Sequence, residues 1–98
     1  MNRESALKTL RSHEAALRSR GIQRASLIGS VARGDSRPDS DIDVIVDLDP
    51  AAKISAFDYA DIVSYVQSLF QEPVDVSNRE MLKPHVRPSA ERDAVKVF

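Results

Sequence analysis

Three aspartates spaced two residues apart lead into an apolar run near the middle of the chain. Asp39, Asp41 and Asp43 precede Val44–Val46, which reads as a buried strand. Residues two apart on a strand point to the same face, so Asp41 and Asp43 are expected to project together. Two such carboxylates repel each other unless a cation lies between them, and Mg²⁺ accepts one or two carboxylates together with phosphate oxygens. The pair therefore predicts a magnesium site, whereas Asp39 is better explained as a turn residue.

A further aspartate, Asp75, stands between Val74 and Val76 in a second short stretch with strand character. If its strand lies beside the first one, three carboxylates converge and could hold the two metal ions used in phosphoryl transfer. Asp75 could then also accept a proton from an attacking hydroxyl group. The alternative is an exposed strand residue without a chemical role, and the sequence favours the catalytic interpretation.

A glycine–serine pair precedes the aspartates and follows an apolar strand. Gly29 would let the main chain approach a phosphate closely, and amides at the start of a helix attract anions. Ser30 would begin a short helical turn and offer its hydroxyl and amide to a triphosphate. Arg33 and Arg37 could neutralise phosphate charge, or they could be solvated charges of the loop.

Two better-known phosphate and metal motifs do not fit this segment. The spacing of Gly29 and Gly34 matches the start of a P-loop, but Asp35-Ser36 follows where the motif needs Lys and Ser or Thr. Residues 39–43 resemble the start of an EF-hand, but Val44 stands where that loop needs Gly and Pro50 where it needs Glu. Both readings are rejected.

The hydrophobic periodicity outlines a small α/β domain in the order α-β-β-α-β. Helices are expected where apolar residues recur every three or four positions, and strands where short apolar stretches are bounded by turn residues. Asp49 before Pro50 adds a helix-start signal. The predicted elements are a helix over 3–20, strands at 25–28 and 41–48, a helix over 54–71, a strand at 73–77, and a tail with a broken helix and a last strand.

Length and composition favour one domain over residues 1–98. The chain has 42% apolar and 30% charged residues and a net charge of −1, so no global basic surface suggests nucleic acid or membrane as a partner. It contains no cysteine, which excludes disulfides and thiolate metal sites. No signal peptide or spanning segment is apparent, so a cytoplasmic location is expected, and direct nucleic-acid binding is disfavoured.

The segment GSVARGDSRPDSDIDVIV, residues 29–46, closely resembles the signature of the DNA polymerase beta-like nucleotidyltransferases. The family pattern is Gly-Ser, a short gap, Gly, then Ser-Asp-x-Asp and an apolar run. The small size and the residues 32–46 look specifically like the minimal nucleotidyltransferases, or MNT antitoxins, that are paired with HEPN-domain toxins in prokaryotes. The clear match covers residues 25–47.

The resemblance implies an α/β (α+β) fold: a small mixed sheet flanked by helices, as in the polymerase beta palm. It implies ATP as substrate and Mg²⁺, with two ions expected. It assigns phosphate binding to Gly29 and Ser30, metal binding to Asp41 and Asp43, and the role of third acid and metal ligand to Asp75.

The resemblance also implies an antitoxin that transfers AMP from ATP to a tyrosine of a partner HEPN toxin, a ribonuclease. Two alternatives stay open. The chain could be a non-catalytic antitoxin that neutralises its toxin by binding, or a nucleotidyltransferase with another acceptor. Retention of both Asp41 and Asp43 argues against the non-catalytic alternative, because a binding protein has no need of paired acids.

Overall fold

The structure is a computed structural model that describes residues 1–98. Five helices and four strands alternate along the chain, and two short 3₁₀ turns, Pro50–Ala52 and Arg79–Met81, lie between them. In chain order the elements are α1 (Arg3–Ser12), α2 (Glu14–Ser19), β1 (Ile22–Ile28), α3 (Gly29–Arg33), β2 (Ile42–Leu48), α4 (Ala56–Ser68), β3 (Val74–Asn78), α5 (Arg87–Asp93) and β4 (Val95–Lys96). The predicted mixed sheet flanked by helices is confirmed.

The four strands form one sheet in the order β3-β2-β1-β4. β1 runs antiparallel to both β2 and β4, whereas β2 and β3 are parallel. A parallel pair needs a crossover connection, and α4 provides it. The parallel register places Asp43 of β2 opposite Asp75 of β3. The two strands that carry candidate site residues are therefore direct neighbours, which meets the condition under which the sequence expected the three carboxylates to converge.

The main core lies on the sheet face that the carboxylates do not use. Ile42, Val44 and Val46 alternate along β2 and are each no more than 1% exposed. Four helices cover this cluster, with buried side chains from each: Leu10 of α1, Leu17 of α2, Val31 of α3, and Ile62 and Val66 of α4. This packing makes β2 the most constrained strand and therefore a firm support for a site at its start.

Part of the opposite sheet face is also covered. Helix α5 packs against β1, and the 79–81 turn packs against β2. Arg79 joins these parts, since its guanidinium pairs with Asp47 of β2 at 2.8 Å and also with Glu91 of α5. Ile45, which lies on this face, is 1% exposed. This second layer leaves accessible the end of the sheet that carries Asp41, Asp43 and Asp75.

Side chains from helices occupy the hydrogen-bonding groups of both sheet edges. At the β4 edge, Arg11 donates to the carbonyls of Lys96 and Val97, each at 2.9 Å. At the β3 edge, Tyr59 and Gln67 of α4 donate to strand carbonyls. An edge whose main-chain groups are satisfied in this way offers less for pairing with another strand.

The predicted boundaries differ from the structure at several elements. The helix expected over 3–20 is interrupted at His13, whose ring Nδ1 lies 2.8 Å from the Thr9 carbonyl while its amide donates to Leu10 instead. Strand β1 begins at Ile22, three residues earlier than expected. Asp49 does cap a helical start, but that of the 50–52 turn, and Ser55 caps α4. None of the helices combines the length and apolarity needed to cross a bilayer.

Candidate active site

The register of β2 and β3 brings the predicted carboxylates to one end of the sheet. Asp43 lies opposite Asp75, and Asp41 directly precedes β2. Burial raises the pKa of Asp43 above its ordinary value, and the negative charges of Asp75 and Asp41 raise it further. Asp41 and Asp75 are both exposed, whereas Asp43 is half-buried. The three acids thus share one accessible cluster. Asp43 lies innermost, and its raised pKa means that its ionised form is disfavoured there.

Gly29 is required for the placement of Asp43. It directly follows Ile28, which pairs with Asp43 across β1 and β2. Its φ is +75°, a conformation that side chains disfavour, and a Cβ added there would collide with Asp43 Oδ2. The sequence predicted that Gly29 lets the main chain approach a phosphate closely, and that role stays a prediction. In the structure the group that approaches is a carboxylate of the candidate site itself.

Ser30 lies in the first turn of α3, next to the carboxylate cluster. It is half-buried, and its carbonyl accepts from the amides of Gly34 and Asp35, which closes this five-residue helix. Gly34 ends the helix in the left-handed conformation with φ 82°. Gly29 and Ser30 are thereby held at a corner between β1 and α3, beside Asp43.

The two candidate phosphate-binding arginines have different surroundings. Arg33 pairs with Asp35 at 3.2 Å and with Asp93 of α5 at 2.9 Å, and its positive charge offsets a small part of the rise in the pKa of Asp43. It is therefore near the carboxylate cluster and tied to two acids of its own. Arg37 is exposed in the loop before β2, where its amide donates to Ser40 Oγ. The structure brings Arg33, and not Arg37, into contact with the neighbouring elements.

The donor set suits Mg²⁺, although the chain does not preassemble a closed metal cage. Asp41, Asp43 and Asp75 offer only carboxylate oxygens, which are the ligands that this hard cation prefers. No group of three His, Asp or Glu side chains is drawn together tightly enough to hold an ion by itself. Mg²⁺ is usually bound by one or two carboxylates plus substrate phosphates and water, so an open acidic cluster fits it.

Sequence reasoning did not connect Tyr59 with the site. Its hydroxyl donates to the Val76 carbonyl at 3.3 Å, next to Asp75. Burial raises the pKa of Tyr59, and the negative charge of Asp75 raises it further. In the sequence Tyr59 is one apolar position of a helix, and only the packing of α4 against β3 places it there. Asp93, which pairs with Arg33, was missed for the same reason.

Comparison with known proteins gives this arrangement a family. Residues 10–97 match the family described as "Nucleotidyltransferase domain". The chain is 30% identical over 90 residues to a candidate protein adenylyltransferase of Methanocaldococcus jannaschii, covering 90% of each chain. It is 29% identical over 89 residues to the protein adenylyltransferase MntA of Thermococcus cleftensis, covering 90% of this chain and 88% of that one. The chain belongs to the nucleotidyltransferase domain family, an enzyme family.

Solved structures share the fold. A candidate minimal nucleotidyltransferase superposes with a TM-score of 0.71 at 31% identity, over 97% of this chain and 95% of the other. The MNT antitoxin complex with the tri-AMPylated HEPN toxin of Shewanella oneidensis gives 0.65 at 15% identity, over 94% of this chain and 71% of that one. The predicted resemblance to minimal nucleotidyltransferases is confirmed, and the second comparison speaks to the fold alone.

Proposed function

We propose that this protein is a Mg²⁺-dependent antitoxin that transfers AMP from ATP to a tyrosine hydroxyl of a HEPN toxin. The relatives named protein adenylyltransferases support the reaction class, because they match this chain over nearly its whole length. The complex of an MNT antitoxin with a tri-AMPylated HEPN toxin supports the acceptor class. A supply of ATP is consistent with the cytoplasmic location expected from the sequence, and residues 1–98 would act as one nucleotidyltransferase domain.

One observation carries the proposal on the side of the structure. The parallel register of β2 and β3 sets Asp43 opposite Asp75, with Asp41 close enough to raise the pKa of Asp43. A fold gains nothing from crowding three carboxylates at the accessible end of its sheet, because the repulsion costs stability. A divalent cation held by these carboxylates together with the phosphates of a nucleotide would remove the repulsion and would explain the cluster.

Each site residue has a distinct role in this reaction. Asp41 and Asp43 would hold Mg²⁺, which when bound supplies charge stabilisation on the phosphate oxygens. Gly29 and Ser30 would hold the triphosphate at the corner between β1 and α3. Asp75 would accept the proton of the tyrosine hydroxyl while the tyrosine oxygen forms a bond to the α-phosphorus of ATP. The bond between the α-phosphorus and the bridging oxygen breaks, and pyrophosphate leaves with that oxygen.

The test is incubation with ATP, Mg²⁺ and the purified product of the neighbouring gene, followed by mass spectrometry. A mass gain of whole AMP units on a tyrosine of that product is the expected result. Asp41→Asn combined with Asp43→Asn should abolish the gain, whereas Asp39→Asn, a matched change at an exposed turn residue, should preserve it. If folded protein leaves the product of the neighbouring gene unmodified in the presence of ATP and Mg²⁺, the proposal is contradicted.

Neutralisation by binding alone is the second candidate, and two exposed apolar side chains favour it. Phe57 is 89% exposed on α4, and Met81 is 79% exposed in the turn after β3. Such side chains suit a protein interface. The same double variant separates the two candidates: if it still neutralises the toxin, occlusion is sufficient, and if it fails while still binding, AMP transfer is required.

A further inference from the structure

The outer edge of β3 is held by two side chains of α4. Tyr59 Oη donates to the Val76 carbonyl at 3.3 Å, and Gln67 Nε2 donates to the Val74 carbonyl at 3.2 Å. These carbonyls belong to the residues immediately before and after Asp75. The two hydrogen bonds therefore bracket one residue, the candidate acid that would face the acceptor.

The pattern of the sheet explains why the bracket falls there. In a strand, alternate main-chain groups point to opposite sides. The Pro73 carbonyl accepts from Ile42 of β2, so it points inward, and the Val74 and Val76 carbonyls point outward. β3 pairs only with β2, which means that these outward carbonyls have no strand partner. Tyr59 and Gln67 supply the donors that a further strand would otherwise supply.

Helix α4 is a firm anchor for this bracket. Ile62 and Val66, which lie between the two donors in sequence, are each 1% exposed in the core. The helix also begins with a capping box in which Ser55 and Asp58 satisfy each other's main-chain amides. Helix α4, which is anchored in the core, thus holds β3 in position.

Asp75 needs such support because its neighbour repels it. Asp43 and Asp75 lie in register and carry like charges, and β3 has β2 on one side only. Repulsion tends to move an edge strand outward, and Asp75 itself is exposed. Small displacements matter for a proton acceptor, since a shift of about 1 Å can cost on the order of 100-fold in rate.

We propose that Tyr59 and Gln67 form a clamp on β3 that positions Asp75 for the transfer step. Both are positioning residues that act through Asp75 and do not touch the nucleotide. The inference rests on the proposed function, because Asp75 has a catalytic role only if that function is correct. Loss of the clamp should leave the corner of Gly29 and Ser30 unchanged. It should therefore lower turnover and leave nucleotide affinity as it is.

The experiment measures AMP transfer to the product of the neighbouring gene by Tyr59→Phe, Gln67→Met and the double variant. We expect kcat to fall by about three- to tenfold in each single variant and further in the double one, with KM for ATP unchanged. Ser68→Ala is the matched control, because it removes a side-chain donor to a carbonyl of the same helix, Tyr65, away from β3. Replacing Tyr59 by 4-aminophenylalanine, which keeps a donor in the same place, should restore kcat.

Hydrogen exchange across Val74–Asn78 provides a readout that does not depend on turnover. Exchange should be faster in the double variant and unchanged in Ser68→Ala. A normal kcat in the double variant, or a fall that Ser68→Ala reproduces, would overturn the clamp while leaving the proposed function intact. No AMP transfer by the unmodified protein would overturn the proposed function, and the catalytic role of the clamp with it.

Discussion

At the scale of single residues, Gly29 and Asp43 form a pair in which one makes room for the other. The main chain at Gly29 has φ +75°, and the Asp43 carboxylate occupies the space where a side chain would begin. Gly34 provides a comparison, because it also has a positive φ of 82° but has open space around it, with Arg3 Nη1 3.9 Å from an added Cβ. Alanine at Gly34 would introduce backbone strain alone, whereas alanine at Gly29 would introduce the same strain and also displace Asp43.

Gly29→Ala is therefore expected to do more damage than Gly34→Ala. Backbone strain alone should cost each variant about 1 kcal/mol of unfolding free energy. Gly29→Ala should lose more than this and also lose AMP transfer, because the new Cβ pushes the Asp43 carboxylate away. Urea unfolding and the transfer assay measure the two effects. Equal losses of stability with full activity in both variants would contradict the contact with Asp43.

The raised pKa of Asp43 predicts that the ionised residue weakens the fold. Since its pKa is higher in the folded state, Asp43 favours folding below the ordinary carboxyl pKa of about 3.9, and this contribution is lost as the pH rises through the folded value. Asp43→Asn should then melt roughly 2–4 °C above the unmodified protein at neutral pH, about 0.5 kcal/mol. Melting curves from about pH 3, which is below the ordinary carboxyl pKa, up to neutral pH check this expectation. A stability difference independent of pH would contradict it.

At the scale of elements, the start of α4 is defined by a capping box. Ser55 Oγ accepts from the Asp58 amide at 3.1 Å, and Asp58 Oδ2 accepts from the Ser55 amide at 3.0 Å. The hydrogen bond from the Ser55 amide to the Asp58 carboxylate lowers the pKa of Asp58 most, and the Ser55 side chain lowers it further. The box therefore stabilises α4 above the ordinary carboxyl pKa and weakens as the pH falls through the lowered value.

Ser55→Ala should cost about 1 kcal/mol at neutral pH, because the amide of Asp58 loses its acceptor. Ser64→Ala is the matched control, since Ser64 is exposed within the same helix and alanine favours a helix interior. Chemical denaturation at neutral and acidic pH measures both variants, and the penalty of Ser55→Ala should shrink in acid. A penalty of equal size in Ser64→Ala would show that the box is not its source.

The elements also show what the sequence can and cannot predict. The strand expected at 41–48 and the helix expected over 54–71 are confirmed as Ile42–Leu48 and Ala56–Ser68, because their apolar residues follow a clear period of two or of about 3.6. The break at His13 was not, because it depends on a ring that competes for the Thr9 carbonyl. The start of β1 was missed because the polar pair Gln23-Arg24 hides the buried Ile22.

The candidate site divides along the same line. Asp41 and Asp43 were found because they are neighbours in sequence, and their face follows from the strand period. Asp75 was found only through a conditional step, namely that its strand lies beside β2, which the register confirms. Tyr59 and Gln67 had no such signal, because hydrogen bonds from a helix to an edge strand depend on tertiary packing. The roles of these residues in catalysis stay predictions.

At the scale of the whole molecule, the layers leave one acidic end of the sheet open. Helices cover one face, while α5 and the 79–81 turn cover part of the other. Arg79 links the second layer to β2, and Arg33 links α3 to α5 through Asp93. The carboxylate cluster thus lies on a scaffold that is tied together around it, and a ligand that neutralises the cluster should stabilise the entire fold.

We expect nucleotide and metal to stabilise the protein only when both are present. Mg²⁺ with a non-hydrolysable ATP analogue should bind the folded state alone, and at 100 times the dissociation constant this would add about 2.7 kcal/mol, or more than roughly 10 °C in Tm. The analogue without Mg²⁺ should raise Tm far less, because its phosphates and the three carboxylates repel each other. Chelation of Mg²⁺ should reverse the shift.

The variants decide whether the shift comes from the carboxylate cluster. In the protein with both Asp41→Asn and Asp43→Asn, the joint effect of metal and analogue should disappear, whereas Asp39→Asn should keep it. The double variant should itself melt no lower than the unmodified protein, because it removes the partly buried charge and the repulsion that together raise the pKa of Asp43. An equal Tm shift in the double variant would mean that nucleotide and metal bind elsewhere, and the acidic end of the sheet would then have no ligand.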